Sequence, residues 1–385
     1  MIATRRTVRR TLLVGAALVV ALLLAEVAAR VWLHCLADPP AFERYASIDQ
    51  LRGRLGDFAR FRAHRQLGFA LVPGYLRDGN RHNALGFRGE EITLAKPAAT
   101  LRVVCCGGST TYGEGTAHDY RLSVPFLLQE GLRAGGHTVE VINAGCPGWT
   151  TLETLINFET RLLELQPEFA VVYHGINDVL PRLVWPTSAY RADWSGWLVR
   201  EQHVVEASLL ERSTLARILL IDAGRVEPHG SLLRIIGDVP PSSLTFAFRG
   251  QRLAGSYPSG VFRDVPIERL LEQNPPVFFE RNLRSLLAVA AAHGVQVVLC
   301  TFAYSREFPE RDYIGHPTVQ AAIDGTNAIV RRLAGEIGVP LLDLAPELTG
   351  KELFTDGVHF TAAGNRRRAE LLQRWFVGRL GRTGR

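Results

Sequence analysis

The sequence predicts an α/β protein with a doubly wound (flavodoxin-like) parallel sheet of about five strands and helices on both faces. Two observations predict it: short apolar runs alternate with amphipathic stretches from Leu101 onward, and polar groups follow the runs directly. Such alternation is typical of the strand and helix units that build a parallel sheet. A third observation, a long apolar segment near the amino terminus, adds a transmembrane helix.

The elements follow in chain order from hydrophobic periodicity. Five apolar runs are expected to form buried strands at 101–106, 138–142, 169–173, 295–301 and 339–344. Stretches with helical spacing and at least three turns cover 122–134, 151–165, 279–293, 319–337 and 362–380. Ligands of doubly wound sheets bind beyond the carboxyl ends of the strands, so the residues just after each strand are the candidate site residues.

Two regions break the alternation and set the expected domain boundaries. Residues 34–99 are predicted to be an extension that packs on the main domain of residues 100–385. Residues 179–278 carry Trp185, Trp194 and Trp197 and are predicted to be an insertion that forms a cap or wall over the site. A plain structural elaboration is the alternative for this insertion.

Residues 11–33 are apolar apart from Thr11, Glu26 and Arg30 and are long enough to cross a hydrocarbon core of about 30 Å. Glu26 and Arg30 can pair on one helix face near the outer interface. We therefore predict that residues 1–33 form a cytoplasmic tip and a single-pass anchor in the inner membrane, with the rest of the chain extracytoplasmic or periplasmic. A cleaved signal peptide that ends at Val27-Ala28-Ala29 is the alternative.

The net charge of +6 does not indicate a nucleic-acid-binding protein. All but two of the 44 basic residues are arginine, a skew that resembles coding bias. Four of them precede the apolar segment and are expected to stay in the cytoplasm: Arg5, Arg6, Arg9 and Arg10. We expect a membrane as a partner and no nucleic acid.

The five cysteines are an odd number without zinc-ligand spacing, and three of them lie in strand-like runs. We expect them to be small buried apolar residues. The histidines, including His174 and His316, also lack the spacing of metal ligands. The sequence therefore predicts no metal and no cofactor.

Glycine-containing segments follow the first three predicted strands. Gly107-Gly108-Ser109 permits a tight strand-to-helix turn that places a hydroxyl at the sheet edge. Gly145 can present a backbone N–H, and Asn177 a side-chain amide, to a developing oxyanion. Each segment also has an ordinary structural interpretation: a simple turn, a helix-entry turn and a capping asparagine.

Asp356 and His359 lie three residues apart in a predicted loop before the last helix. A serine hydroxyl is a poor nucleophile until a neutral imidazole accepts its proton, and a carboxylate on the other ring nitrogen orients the imidazole. Alone, the segment also suits a solvated turn. The convergence of these groups with Ser109 beyond successive strands favours ester hydrolysis.

These segments resemble the SGNH hydrolases, also called the GDSL esterase/lipase family, over roughly residues 100–375. The resemblance implies that Ser109 is the nucleophile and that Asp356 and His359 activate it. It also implies that the N–H groups of Ser109 and Gly145 and the amide of Asn177 form the oxyanion hole.

The resemblance has one departure and one extension. Gly108 stands where the name-giving version of the family has aspartate before serine, although Gly-Gly-Ser variants are familiar in the family. Residues 83–89 and the apolar segment also look like a membrane-anchored bacterial branch.

The expected activity is that of a carboxylic ester hydrolase. It would remove small acyl groups from an extracytoplasmic glycan or from a related small-molecule ester. Two alternatives remain open: an O-acyltransferase that uses the same residues, and a catalytically silent glycan-binding protein on the same fold.

Overall fold

The computed structural model describes residues 2–47, 50–51, 60–77, 79–184, 187–195, 212–226, 228, 265–308 and 313–383. Its strands are β1 (Phe61–His64), β2 (Gly68–Leu71), β3 (Leu76–Arg77), β4 (Asn80–Arg81), β5 (Leu101–Gly107), β6 (Val139–Asn143), β7 (Phe169–Tyr173), β8 (Gln296–Cys300) and β9 (Leu341–Leu342). The last five form one parallel sheet in the order β6-β5-β7-β8-β9. Counted from β5, this is the order 2-1-3-4-5 of a doubly wound sheet, so the fold prediction is confirmed.

The helices connect these strands and cover both faces of the sheet. They are α1 (Ile2–Val31), α2 (Pro39–Tyr45), α3 (Ser109–Tyr112), α4 (Val124–Ala134), α5 (Thr151–Asn157), α6 (Ile176–Val179), α7 (Thr214–Asp222), α8 (Ile267–Gln273), α9 (Val277–Ala292), α10 (Pro317–Ile337) and α11 (Ala362–Thr383). The stretch predicted as one helix at 151–165 continues after α5 as a π-turn and a 3₁₀-turn. The other four predicted long helices are present within a few residues of their expected ends.

The central strands are apolar throughout because both faces of the sheet are covered. On one face, Val172 and Leu299 share a buried cluster with Phe279 of α9 and Val330 of α10. On the other face, Phe169 meets the ring of Phe376 from α11 edge-on, with 5.3 Å between the ring centroids. This two-sided packing fixes the strand ends, and the site residues follow these ends.

Residues 60–99 join the sheet through two small antiparallel hairpins and a loop. β1 pairs with β2, and β3 pairs with β4. Arg88 forms an isolated antiparallel bridge with Asn143 at the carboxyl end of the edge strand β6. This part of the predicted extension therefore packs directly on the main domain.

The compact units differ from the predicted domain boundaries. One unit comprises Arg60–Gln202 and Pro240–Arg385, and the other comprises Met1–Ala59 and His203–Val239. The larger unit begins at Arg60, so the hairpins of residues 60–99 lie in the same unit as the sheet, and the domain boundary at residue 100 stays a prediction. The predicted insertion at 179–278 is divided between the two units.

The smaller unit contains an apolar helix and a second, short helix bonded to it. The most apolar 18-residue window of the span Arg9–Leu36 has a mean hydropathy of 2.6, and the span is long and apolar enough to cross a membrane. Within this span, the carboxylate of Glu26 pairs with Arg30 and accepts hydrogen bonds from the N–H groups of Thr214 and Leu215, which begin α7. Glu26 therefore caps the amino terminus of α7.

Candidate active site

Three segments reach the same edge of the sheet because their strands are parallel neighbours. β5 leads into α3, whose first residue is Ser109, and β7 leads through Gly175 into α6, which contains Asn177. β6 leads into the loop that contains Gly145 and Gly148. The segments predicted to carry the site are thus brought together by the topology of the sheet.

The hydroxyl of Ser109 meets the imidazole of His359 at this edge. The distance from Ser109 Oγ to His359 Nε2 is 2.8 Å, and the distance from His359 Nδ1 to Asp356 Oδ2 is 2.7 Å. Both are hydrogen-bond distances. The arrangement has the geometry in which an imidazole accepts a serine proton while a carboxylate fixes the orientation of the ring.

The loop that carries Asp356 and His359 folds back on its own carboxylate. Asp356 Oδ1 accepts the backbone N–H groups of Val358 and His359 at 3.2 and 2.9 Å. Gly357 has φ of +96°, a left-handed conformation that a glycine adopts without strain. Burial alone would raise the pKa of Asp356. The hydrogen bond from His359, the charge of His359 and the two backbone N–H groups outweigh burial and hold the pKa below its usual value. Asp356 is therefore ionised at neutral pH.

Gly108 permits the close approach of Asn177 to the turn that carries Ser109. A Cβ atom on Gly108 would lie 2.4 Å from Asn177 Nδ2 and 3.3 Å from the carbonyl oxygen of Trp149. Asn177 Nδ2 donates one hydrogen bond to that oxygen at 2.9 Å. An amide nitrogen carries two hydrogens, so Asn177 can donate the second to a ligand.

Gly145 is placed differently from the expectation. Its N–H donates to Asn143 Oδ1 at 3.1 Å, and a Cβ atom on it would lie 2.4 Å from the backbone nitrogen of Tyr112. Gly145 therefore packs against the end of α3 that is remote from Ser109, and its N–H is already bonded. The structure does not support it as the donor predicted from the sequence.

Gly148 is the glycine of the same loop that lies next to the converging groups. It has φ of +86°, and it directly precedes Trp149, whose carbonyl oxygen contacts Asn177. The sequence carried a signal for this position, because Gly145 and Gly148 both stand in the loop after the second strand. Which of these two glycines faces the site depends on the path of the backbone, and the sequence pattern does not predict that path.

A buried polar cluster lies beneath the residues of the site. Asp178 Oδ1 accepts the N–H and the hydroxyl of Thr151 at 3.0 and 2.6 Å, so it caps the start of α5. Burial raises its pKa to about 7. His174 binds the Thr154 hydroxyl through Nε2 at 2.7 Å, and burial lowers its pKa to about 3.

Part of the predicted insertion packs on the loop after β6 and is hydrogen-bonded to it. Trp194 Nε1 donates to the carbonyl oxygen of Gly148 at 2.7 Å, and the Thr150 hydroxyl donates to that of Ala192 at 2.9 Å. Trp194 is buried, so its indole supports the loop. The other two tryptophans of the insertion, Trp185 and Trp197, lie outside the described residues.

The remaining candidate ligands are dispersed in the described part of the chain. Within it, no group of three histidine, cysteine, aspartate or glutamate side chains is arranged to hold a metal ion. Cys105, Cys106, Cys146 and Cys300 are buried with free thiols, and burial raises the pKa of each of them.

A family model and several solved structures match this chain. The model of the GDSL-like Lipase/Acylhydrolase family matches residues 105–367. A lipase/acylhydrolase from Enterococcus faecalis is 19% identical, with 72% of this chain and 96% of that chain covered and a TM-score of 0.41. A putative arylesterase from Agrobacterium tumefaciens is 13% identical, with 72% and 99% covered and a TM-score of 0.41.

An acetylxylan esterase from Geobacillus stearothermophilus is 16% identical, with 71% of this chain and 93% of that chain covered and a TM-score of 0.39. A search of curated protein sequences gave no match.

Proposed function

Because the chain belongs to the GDSL-like lipase/acylhydrolase family, we propose that it is a serine ester hydrolase with Ser109 as nucleophile and His359 and Asp356 as its activating pair. One observation carries the proposal. The Ser109 hydroxyl, the His359 imidazole and the Asp356 carboxylate form an unbroken hydrogen-bonded chain with links of 2.8 and 2.7 Å. This chain joins groups that are 250 residues apart in the sequence.

The reaction follows from the direction of this chain. Ser109 Oγ attacks the ester carbonyl carbon while its proton moves to His359 Nε2. The tetrahedral intermediate then expels the alcohol, which takes that proton from the imidazole and leaves an acyl group on Ser109. A water molecule, deprotonated by His359, attacks the acyl carbon, and the serine recovers its proton as the free acid leaves. Asp356 stabilises the imidazolium in both halves of the reaction.

The oxyanion of both intermediates requires donors on the side of Ser109 that faces away from His359. We propose the backbone N–H of Ser109 at the start of α3, the second amide hydrogen of Asn177 and the N–H of Gly148 in place of that of Gly145. Donors that are fixed before the reaction stabilise developing charge without reorganisation, and losing one typically costs about 100- to 1,000-fold in rate.

We propose that the substrate is an ester of a short-chain acid. The acyl group would be carried on an extracytoplasmic glycan or on a related small molecule. Ser109 is only 8% exposed, which favours a short acyl group over a long chain. Trp194 and Ala192 hold the Gly148 loop through two hydrogen bonds, which supports a rigid boundary for the acyl group on this side.

The direct test is hydrolysis of a chromogenic acetyl ester by the full chain and by Ser109→Ala. The account predicts turnover by the wild type and a loss of several orders of magnitude in the variant. Ser188→Ala is the matched control, because Ser188 is exposed and accepts a hydrogen bond from Arg191 through its backbone oxygen, which the substitution keeps. Equal activity of Ser109→Ala and Ser188→Ala would remove Ser109 from the mechanism.

Two other activities use the same geometry and are separated by their products. An O-acyltransferase would pass the acyl group to a sugar hydroxyl, so oligosaccharides added to the reaction would gain the mass of the acyl group. A silent glycan-binding protein would show no turnover in wild type or variant. Release of free acid alone, without acylated oligosaccharide, supports the hydrolase.

We also propose that the amino-terminal helix is retained as a membrane anchor, with the main domain outside the cytoplasm. The contacts of Glu26 favour retention, because cleavage before Arg30 would remove the acceptor that caps α7. An epitope at the amino terminus is expected to stay with the full-length chain in carbonate-washed membranes. A mature chain that begins at Arg30 would contradict the anchor.

A further inference from the structure

The nucleophile's helix α3 is a single turn whose own backbone satisfies few of its carbonyl groups. Within it, the N–H groups of Tyr112 and Gly113 bond the carbonyls of Gly108 and Ser109. Gly113 then ends the turn in a left-handed conformation with φ of +93°. The carbonyls of the second half therefore need partners from elsewhere in the chain, as at every helix end.

Two buried arginines from different elements bond carbonyl groups of this turn, and Asn143 Nδ2 also donates to the carbonyl oxygen of Tyr112, at 3.1 Å. Arg88 donates through Nη1 to the carbonyl oxygen of Tyr112, and Arg368 of α11 donates through Nη1 to that of Thr110 at 3.1 Å. The two residues are only 3% and 2% exposed. Each guanidinium also lies over a ring: Arg88 over Tyr112 at 4.6 Å, and Arg368 over Tyr173 at 3.6 Å.

Arg88 also holds the segment against which the histidine loop rests. Its Nη2 donates to the carbonyl oxygen of Thr116 at 3.0 Å. Between these two anchors, Gly115 packs on the histidine loop so closely that a Cβ atom would lie 2.2 Å from the oxygen of Phe360 and 3.4 Å from His359 Cβ. One side chain thus binds both the turn that carries Ser109 and the backbone that supports His359.

Arg88 can bind several acceptors at once because its guanidinium group is planar and carries donors on three nitrogens. Its Nε donates to Asn80 Oδ1 at 2.9 Å, while its two terminal nitrogens donate to backbone carbonyls. A lysine at this position has one compact charge and cannot span the acceptors on both sides. The positive charge also lies at the carboxyl-terminal end of the turn, where it complements the helix dipole.

We propose that Arg88 and Arg368 are positioning residues that set the distance between Ser109 Oγ and His359 Nε2. Both lie outside the residues 105–367 that match the family model, so the residues that complete this arrangement come from parts of the chain beyond the matched region. The inference rests on the proposed function, because it concerns the same reacting pair.

The test compares Arg88→Lys with the wild type by the rate per active site. A fluorophosphonate titrates the reactive serines, so kcat is expressed per labelled site, and loss of folded protein does not count as loss of rate. Displacement of reacting groups by about 1 Å can cost about 100-fold in rate, so we expect kcat to fall by up to about 100-fold with little change in KM. Arg368→Lys, which loses a single carbonyl contact with α3, is expected to lose about 10-fold in kcat.

Arg102→Lys is the matched control. Arg102 is fully buried and also binds backbone carbonyls, those of Leu94 and Leu165 at 3.0 and 2.8 Å, but it lies at the end of β5 that is remote from Ser109. We expect this variant to lose thermal stability and to keep the wild-type kcat per labelled site.

The outcomes separate the inference from the proposed function. A wild-type chain that neither turns over ester nor takes the label would overturn the proposed function. A wild-type chain that is labelled on Ser109, with an unchanged kcat per site in Arg88→Lys and Arg368→Lys, would overturn only the positioning role. If Arg88→Lys yields no folded protein, Arg368→Lys decides the result alone.

Discussion

The loop that carries Asp356 and His359 and the polar cluster beneath it use similar donors around their carboxylates, yet the pKa values of these carboxyl groups shift in opposite directions. Asp356 accepts two backbone N–H groups and also faces His359, and its pKa is held below the usual value in spite of burial. Asp178 accepts the N–H and the hydroxyl of Thr151 and lies 3.7 Å from His174 Nδ1, Glu153 accepts the N–H of Thr150, and burial raises the pKa of each carboxyl to about 7. Two features separate these carboxylates: Asp356 has an imidazole at hydrogen-bond distance, 2.7 Å, and its side chain is 33% exposed, whereas that of Asp178 is 3% exposed. Both features favour the ionised form of Asp356.

We expect the largest difference in rate between the variants Asp356→Asn and Asp178→Asn. Loss of the orienting carboxylate leaves the imidazole in the wrong tautomer, an effect of about 10,000-fold in kcat in a serine protease triad. We expect a loss of that order for Asp356→Asn. For Asp178→Asn we expect at most about 10-fold, because its contacts act through helix α5. Steady-state kinetics per titrated site measure both, and losses of similar size would break the comparison.

The pH dependence of kcat/KM gives the next largest effect. Only a neutral imidazole accepts the serine proton, so the rate should fall about tenfold for each pH unit below the imidazole's titration. Asp356 adds no second step between about pH 5 and 8, because its pKa lies below its usual value. A single acidic limb with unit slope is expected, whereas a rate that does not vary over this range would contradict the role of His359.

The smallest effect is on stability, through Glu153→Gln. The pKa of this buried carboxyl rises from 4.5 to about 7, so the folded state holds its proton more tightly than the unfolded state does. Its contribution to stability is complete below about pH 4.5 and is lost as pH rises through about 7.

As pH rises over that range, the free energy of unfolding of the variant should therefore increase relative to that of the wild type, by up to about 1.4 kcal/mol per pH unit. Thermal unfolding at a series of pH values measures the difference. Glu164→Gln, at an exposed position, is the control and should give a flat line.

The sequence could predict the elements that depend on local periodicity. The run at 169–173 coincides with β7, and the helices at 277–292 and 317–337 begin and end within two residues of the prediction. Ser109, Asp356 and His359 could be selected because their residue types follow strands or precede the last helix. Their meeting at 2.8 and 2.7 Å agrees with what that pattern led us to expect.

What the sequence could not predict depends on contacts between distant segments. Gly145 and Gly148 differ only in the path of the loop, and that path is set by packing against α3. Nothing in the sequence distinguishes Arg88 from the other arginines, and only the structure shows its hydrogen bonds to the carbonyl oxygens of Tyr112 and Thr116. The link between Glu26 and α7 joins residues 188 positions apart, which no local pattern encodes.

We propose that a serine near one end of the domain, Ser109, is activated by a histidine near the other end, His359. The most direct measurement is the site and rate of fluorophosphonate labelling in the full-length wild type and in His359→Gln, followed by mass spectrometry of the labelled peptide. We expect an adduct on Ser109 in the wild type and labelling slower by orders of magnitude in the variant. An adduct on another residue, or equal labelling of Ser109 in both chains, would contradict it.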